Sequence, residues 1–199
     1  MTRRIGIMGG TFDPIHIAHL VAAEEAATAR ALDEVIFIPA RQPPHKRGEP
    51  LTDASHRLAM TRAAVADNPR FSVSTIEMDR EGPSFTVDTL RELQAPGVEL
   101  SFIVGMDSLA ELPTWHDPSE ILSLAELVAV YRGGWDRVDM AELEAALPAV
   151  RGRVQVVAIP ALDISSTDVR RRVAEGRPIR YLVPDSVIDY IIRNGLYRD

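Results

Sequence analysis

His16 and His19 stand three residues apart, directly after Gly9-Gly10-Thr11-Phe12-Asp13-Pro14-Ile15. Residues at that spacing are neighbours on a helical turn. Two imidazole donors at a helix start suit an anion such as phosphate. Gly9 and Gly10 have no Cβ, so the backbone there can approach a ligand closely. The same pair also suits an ordinary tight turn. Two histidines are half of a zinc set. No acidic residue lies between them as in His-Glu-x-x-His, and the chain has no cysteine, which argues against a metal site. The glycine pair is neither the dinucleotide pattern G-x-G-x-x-G nor a Walker loop.

A second group with the same chemistry comes late, at Ser165-Ser166-Thr167-Asp168-Val169-Arg170. Ser165 is a natural N-cap, and Asp168 completes a capping-box-like pattern. The hydroxyls and the free N–H groups of the first turn then face one spot. Arg170 adds a planar fork suited to phosphate oxygens. A well-capped surface helix with a solvated basic face fits the same letters. A third group, Arg41, His45, Lys46 and Arg47, lies between Ala40 and Pro50 among three prolines and a glycine. That composition makes a loop. It follows a strand, at the sheet edge where ligands bind in α/β folds. Gly105-Met106-Asp107 also ends a strand, where a carboxylate either holds ribose hydroxyls or caps the next helix. Trp115 lies in a loop with Pro113 and Pro118. An indole there either stacks on a flat heteroaromatic ring or covers the domain edge.

The elements that must position these groups alternate. Short apolar runs at residues 3–8, 34–39, 99–105, 126–131 and 154–159 read as strands, and the alternating run at 71–76 as another. Helices are expected over residues 20–32, from a Thr52 or Asp53 cap to about 67, over 85–94 capped by Ser84, over 140–147, after Ser165, and over 184–197. Gly133-Gly134-Trp135-Asp136 reads as an exposed loop. This alternation implies right-handed crossovers and a doubly wound, mostly parallel sheet with helices on both faces. The chain has 199 residues, 46% of them hydrophobic, enough for one domain with its own core. We expect a single domain over residues 1–199, with the core about 1–160 and a helical segment about 161–199.

A net charge of −7 makes nucleic acid a poor partner, although a local positive pocket can still take a small polyanion. The absence of cysteine excludes disulfides and thiol catalysis. No run is long enough for a signal peptide or a membrane span, so no membrane partner and a cytoplasmic location are expected. A homo-oligomer is compatible with the sequence.

Gly-Gly-Thr-Phe-Asp-Pro-Ile-His-x-x-His resembles the signature of the nucleotidylyltransferase superfamily, usually written H-x-G-H. Ala18 stands where the superfamily has glycine. Ser-Ser-Thr-x-x-Arg resembles its second signature, and Pro-Pro-His-Lys a phosphate-binding loop. Pro83-Ser84-Phe85-Thr86-Val87-Asp88-Thr89-Leu90, Gly105-Met106-Asp107, residues 112–117 and Val183-Pro184-x-x-Val187-x-x-Tyr190-Ile191 together resemble bacterial nicotinate-nucleotide adenylyltransferases over nearly the whole chain.

The resemblance implies a Rossmann-like fold and transfer of the adenylyl group of ATP to nicotinate mononucleotide, in NAD biosynthesis. It implies catalytic roles for His16, His19, Lys46 and Arg170. ATP and its phosphates would meet Gly9, Gly10, Thr11, Phe12, Gly105, Asp107, Ser165, Ser166 and Thr167. Thr86 and Trp115 would hold the mononucleotide, with Trp115 stacked on the pyridine ring. Mg2+ would arrive with ATP, and no protein metal site is expected. Catalysis would be positioning plus electrostatic stabilisation, with the histidines neutralising charge on the α-phosphate. The competing expectations are pantetheine-phosphate adenylyl transfer, against which the Trp115 loop argues, and a non-catalytic nucleotide-binding sensor. A dehydrogenase is disfavoured by the missing glycine fingerprint.

Overall fold

The computed structural model describes residues 2–43, 51–133 and 138–198. Lys46, with His45 and Arg47, lies outside the described residues, as do Trp135 and Asp136. Six strands form one sheet: β1 (Arg3–Gly10), β2 (Glu34–Pro39), β3 (Phe71–Val73), β4 (Val98–Gly105), β5 (Glu126–Tyr131) and β6 (Val154–Ala158). Every pairing is parallel, in the order β3-β2-β1-β4-β5-β6. The expected mostly parallel sheet is therefore entirely parallel among the described residues. The inner strands are continuous apolar runs because helices cover both their faces. The edges are less covered, and Val156 of β6 is 48% exposed.

The helices are α1 (Ile17–Arg30), α2 (Ala54–Val65), α3 (Ile76–Asp79), α4 (Thr86–Leu93), α5 (Met106–Glu111), α6 (Pro118–Leu124), α7 (Met140–Ala146), α8 (Ser166–Ala174) and α9 (Asp185–Arg193). Helices α1, α2, α8 and α9 share one core with Met8, Val35, Phe37 and Val130. Helices α4 to α7 share the other with Ile5, Ile7, Phe102 and Leu127. Buried Ala22, Ala23, Ala26 and Ala27 let α1 lie close against the sheet. It ends where Ala31 turns left-handed and donates its N–H to the carbonyls of Ala27 and Thr28, a common helix stop. Among the described residues no helix is long and apolar enough to cross a membrane.

Several expected boundaries move. Helix α1 starts three residues early, because the histidine pair itself opens it. The 71–76 strand stops at Val73, since Ser74 Oγ accepts the Ile76 N–H and α3 begins. The tail helix spans only Asp185–Arg193. Phe85, not Ser84, is the N-cap of α4.

β1 has β2 on one side and β4 on the other, and the two connections go to opposite faces. Their carboxyl ends, Gly10 and Gly105, therefore flank the crevice where ligands bind in doubly wound folds.

Candidate active site

The Gly9–His19 turn is stiff. Phe12 is 3% exposed and left-handed, with φ 48°, a conformation that costs a non-glycine residue roughly 1 kcal/mol. The room left by the missing Cβ of Gly10 is filled by its ring: a Cβ there would sit 2.8 Å from Phe12 ring atoms. Gly10 thus serves this packing. A Cβ on Gly9 would lie 3.7 Å from Phe102, an ordinary contact on the opposite face. Phe12 in turn meets His19 edge-on, centroids 5.2 Å apart.

His16 is the N-cap of α1, and His19 is its third residue. Their rings stack, with centroids 3.6 Å apart. The His16 backbone N–H donates to His19 Nδ1 at 3.2 Å. An accepting Nδ1 leaves the His19 ring proton on Nε2. His16 is 6% exposed. Its Nδ1 is buried without a hydrogen-bond partner among the described residues, which suits a polar ligand. Burial, then the nearby Arg132 guanidinium, pushes its pKa down to about 4. His19 is held well below the ordinary value by burial, then by His16 and Arg132. Both rings are therefore neutral donors at neutral pH.

The late segment meets this turn. Ser166 Oγ donates to the Pro14 carbonyl at 2.9 Å, and Arg170 Nη1 to the Asp13 carbonyl at 2.7 Å. Arg170 Nη2 lies 3.5 Å from Thr167 Oγ1. Ser165 caps α8 by accepting the Asp168 N–H. The return half of the expected capping box is absent, because Arg171 and Arg172 hold the Asp168 carboxylate. Those two arginines are paired within their own helix, and the Arg171 side chain remains 61% exposed. Ala18, at the signature's glycine position, is buried in α1.

Across the crevice, Gly105 is the N-cap of α5, and Asp107 Oδ1 accepts the Ser108 N–H at 2.9 Å. A Cβ on Gly105 would collide with that oxygen, so glycine is what lets the carboxylate sit there. Thr86 and Trp115 share one cavity of about 340 Å3 with Ser84, Phe85, Thr114, His116 and Ile121. Phe102, against Gly9, meets the Trp115 ring edge-on at 6.0 Å. This ring links the indole to the glycine turn. A larger cleft, about 720 Å3 between α8 and α9, contains none of the predicted residues.

Four residues with a part in this arrangement were given no role from the sequence. Arg132, just past β5, bears on both imidazoles. Its only mark was its place after a strand end. Arg57, 1% exposed, donates to the carbonyls of Thr11 (2.7 Å), Ala40 (2.7 Å), Thr52 (2.9 Å) and Arg41 (3.2 Å). In sequence it was one more basic residue on the helix that follows Thr52 and Asp53. Asp13, 2% exposed, accepts from Thr52 N–H at 3.1 Å and from the Tyr197 hydroxyl at 2.7 Å. Burial, then the Asp13 carboxylate, raises the pKa of that phenol. A tyrosine 184 positions away could not be assigned to this turn from letters alone.

A model of the cytidylyltransferase-like family matches residues 7–172. Probable nicotinate-nucleotide adenylyltransferases of Thermomicrobium roseum and Streptomyces coelicolor are 50% and 51% identical. They align with 98% and 96% of this chain and 92% and 99% of their own. The nicotinic acid mononucleotide adenylyltransferase of Plasmodium falciparum, solved with APC and with NaAD, has the same fold, with TM-scores of 0.78 and 0.76. That likeness holds at 22% identity and covers 98% of this chain and 97% of that one. With a family match over most of its length and relatives at half identity end to end, the chain belongs to the cytidylyltransferase-like family and, within it, to the nicotinate-nucleotide adenylyltransferases.

Proposed function

We propose that the chain transfers the adenylyl group of ATP to nicotinate mononucleotide, giving nicotinate adenine dinucleotide and pyrophosphate, in NAD biosynthesis in the cytoplasm. The observation that carries this is the meeting of the His16–His19 turn with Ser166 and Arg170 at the sheet's carboxyl edge, joined through Phe102 to the Thr86–Trp115 cavity. One phosphate oxygen of the mononucleotide attacks the α-phosphorus of ATP, and the bond to the bridging oxygen breaks. Pyrophosphate leaves with that electron pair. The nucleophile is already an anion, so no general base is needed. The work is alignment and stabilisation of charge on the non-bridging and leaving oxygens.

In this reading the two neutral imidazoles donate to the α-phosphate. Arg170, Ser166, Thr167 and Lys46 take the departing pyrophosphate, and Arg132 adds charge beside the imidazoles. Asp107 holds the nucleotide sugar, and Trp115 stacks on the pyridine with Thr86 at its carboxylate. Among the described residues no group of three or more His, Asp and Glu is arranged to hold a metal ion. Mg2+ would arrive carried on the triphosphate, which supplies most of its oxygen ligands. When bound, the ion would neutralise phosphate oxygens.

The test is pyrophosphate release from ATP with nicotinate mononucleotide, nicotinamide mononucleotide and phosphopantetheine in turn. Release with the nicotinate substrate is expected. Release only with phosphopantetheine, or ATP binding without release, overturns the proposal. His19→Ala should lower kcat about 10²–10³-fold, the loss of one preorganised donor. Near-normal turnover would remove His19 from the site.

A further inference from the structure

Glu77 is a buried carboxylate that the reaction above does not use. It sits in the short α3 and is 7% exposed. Its Oε1 accepts the Thr89 hydroxyl at 2.7 Å, and the Ser84 hydroxyl lies near enough to its carboxylate to stabilise the charge. Burial raises its pKa, and these two hydroxyls, then Arg80, oppose that.

The directions of the bonds are fixed from outside. The Gln42 N–H donates to Ser84 Oγ at 3.3 Å, so the Ser84 proton is free to go to Glu77. Arg80 Nη1 donates to Thr89 Oγ1 at 3.2 Å while also pairing with Glu92. The Thr89 proton has two acceptors in reach, and the Glu77 oxygen at 2.7 Å is nearer than the Phe85 carbonyl at 3.4 Å. The carboxylate thus accepts from Thr89 and draws on the Ser84 hydroxyl beside it. An amide in its place would turn an N–H2 group toward one of them.

Ser84 and Thr89 bracket Phe85 and Thr86, the cap and first residue of α4. One carboxylate thus pins the segment from both sides. The segment is held again by the Ser84 N–H donating to the Gln42 carbonyl at 3.1 Å and by Phe85 stacked on His116 at 4.4 Å. All of Ser84, Phe85, Thr86 and His116 line the cavity that contains Trp115.

We infer that Glu77 is a positioning residue for the mononucleotide: it sets where Thr86 and Phe85 stand against Trp115, and so governs affinity for the pyridine substrate without touching it. This rests on the reading of that cavity as the mononucleotide's place. The Glu77 contacts reach the cavity wall, while the contacts of the histidine turn run to α8, so the two substrates should respond differently.

The test compares Glu77→Gln, Ser84→Ala, Thr86→Ala and Trp115→Ala in the full chain, with KM for each substrate and kcat measured separately. Glu77→Gln should raise KM for nicotinate mononucleotide about tenfold, the equivalent of one hydrogen bond. KM for ATP and kcat should stay within about twofold. Ser84→Ala should raise the same KM less. An unchanged mononucleotide KM, or an equal rise in both KM values, overturns the inference if Trp115→Ala and Thr86→Ala still weaken mononucleotide binding. If those two variants leave that KM unchanged, the cavity assignment falls and the inference with it. Should Glu77→Gln not fold, Ser84→Ala decides: a selective rise supports the role, and no change rejects it.

Discussion

At the scale of single residues, the two imidazoles are distinguished by their charge state. Buried, stacked and facing Arg132, they stay neutral where free histidine would begin to take a proton. Activity should therefore show no inflection near pH 6.5, and a pH profile of kcat/KM will reveal one if either ring titrates normally. The stability consequence has a definite sign. The folded pKa of His16 is about 4, below that of the unfolded chain, so the unfolded state binds the extra proton between those values. Stability is complete above about pH 6.5 and is lost as pH falls toward 4, by on the order of 3 kcal/mol from this residue. Thermal midpoints across that window should fall more steeply for the native protein than for His16→Gln. The sequence showed where the imidazoles are, but not their charge, because charge depends on burial and on a guanidinium 113–116 positions away.

At the scale of elements, two glycines end the two central strands and serve different ends. A methyl group at Gly10 must displace the Phe12 ring, which is packed against Phe37 and His19. Gly10→Ala should cost about 1–3 kcal/mol and lower kcat at least tenfold as His19 shifts. At Gly105 the obstacle is only the tip of exposed Asp107, and the backbone is ordinary at φ −73°. Gly105→Ala should keep its stability within about 1 kcal/mol and raise KM for ATP instead. Chemical denaturation with initial-rate kinetics separates these outcomes, and similar losses at both sites would contradict the packing described. The six strands and the longer helices were legible from apolar periodicity, but the short helices α3, α5 and α6 were not, because four to seven residues carry too little of the period. The fine ends were not: Ser84 has a cap's letters, but its hydroxyl is drawn to Glu77.

At the scale of the whole molecule, three distant segments hold one turn. Helix α8 reaches the carbonyls of Asp13 and Pro14, Arg57 holds Thr11, and Tyr197 holds the Asp13 carboxylate. Helices α8 and α9 also share the core of α1 and β1. We expect one cooperative unfolding transition, with fluorescence, circular dichroism and activity lost together. Tyr197→Phe should lower its midpoint by the equivalent of about 1.5–3 kcal/mol, the worth of a hydrogen bond to a charged group. Early loss of activity at a separate, lower midpoint would show that the C-terminal part unfolds on its own.

The sequence by itself determined the alternation of strands and helices, the parallel doubly wound sheet, and both phosphate-type segments, since periodicity, caps and turn residues act over a few positions. Only the tertiary structure decided that those segments meet, that the histidines are neutral, and that Arg57, Asp13, Arg132, Tyr197 and Glu77 stand behind them. Such contacts span tens to hundreds of positions. Their strength comes from the low-dielectric interior that exists only once the chain has closed around them.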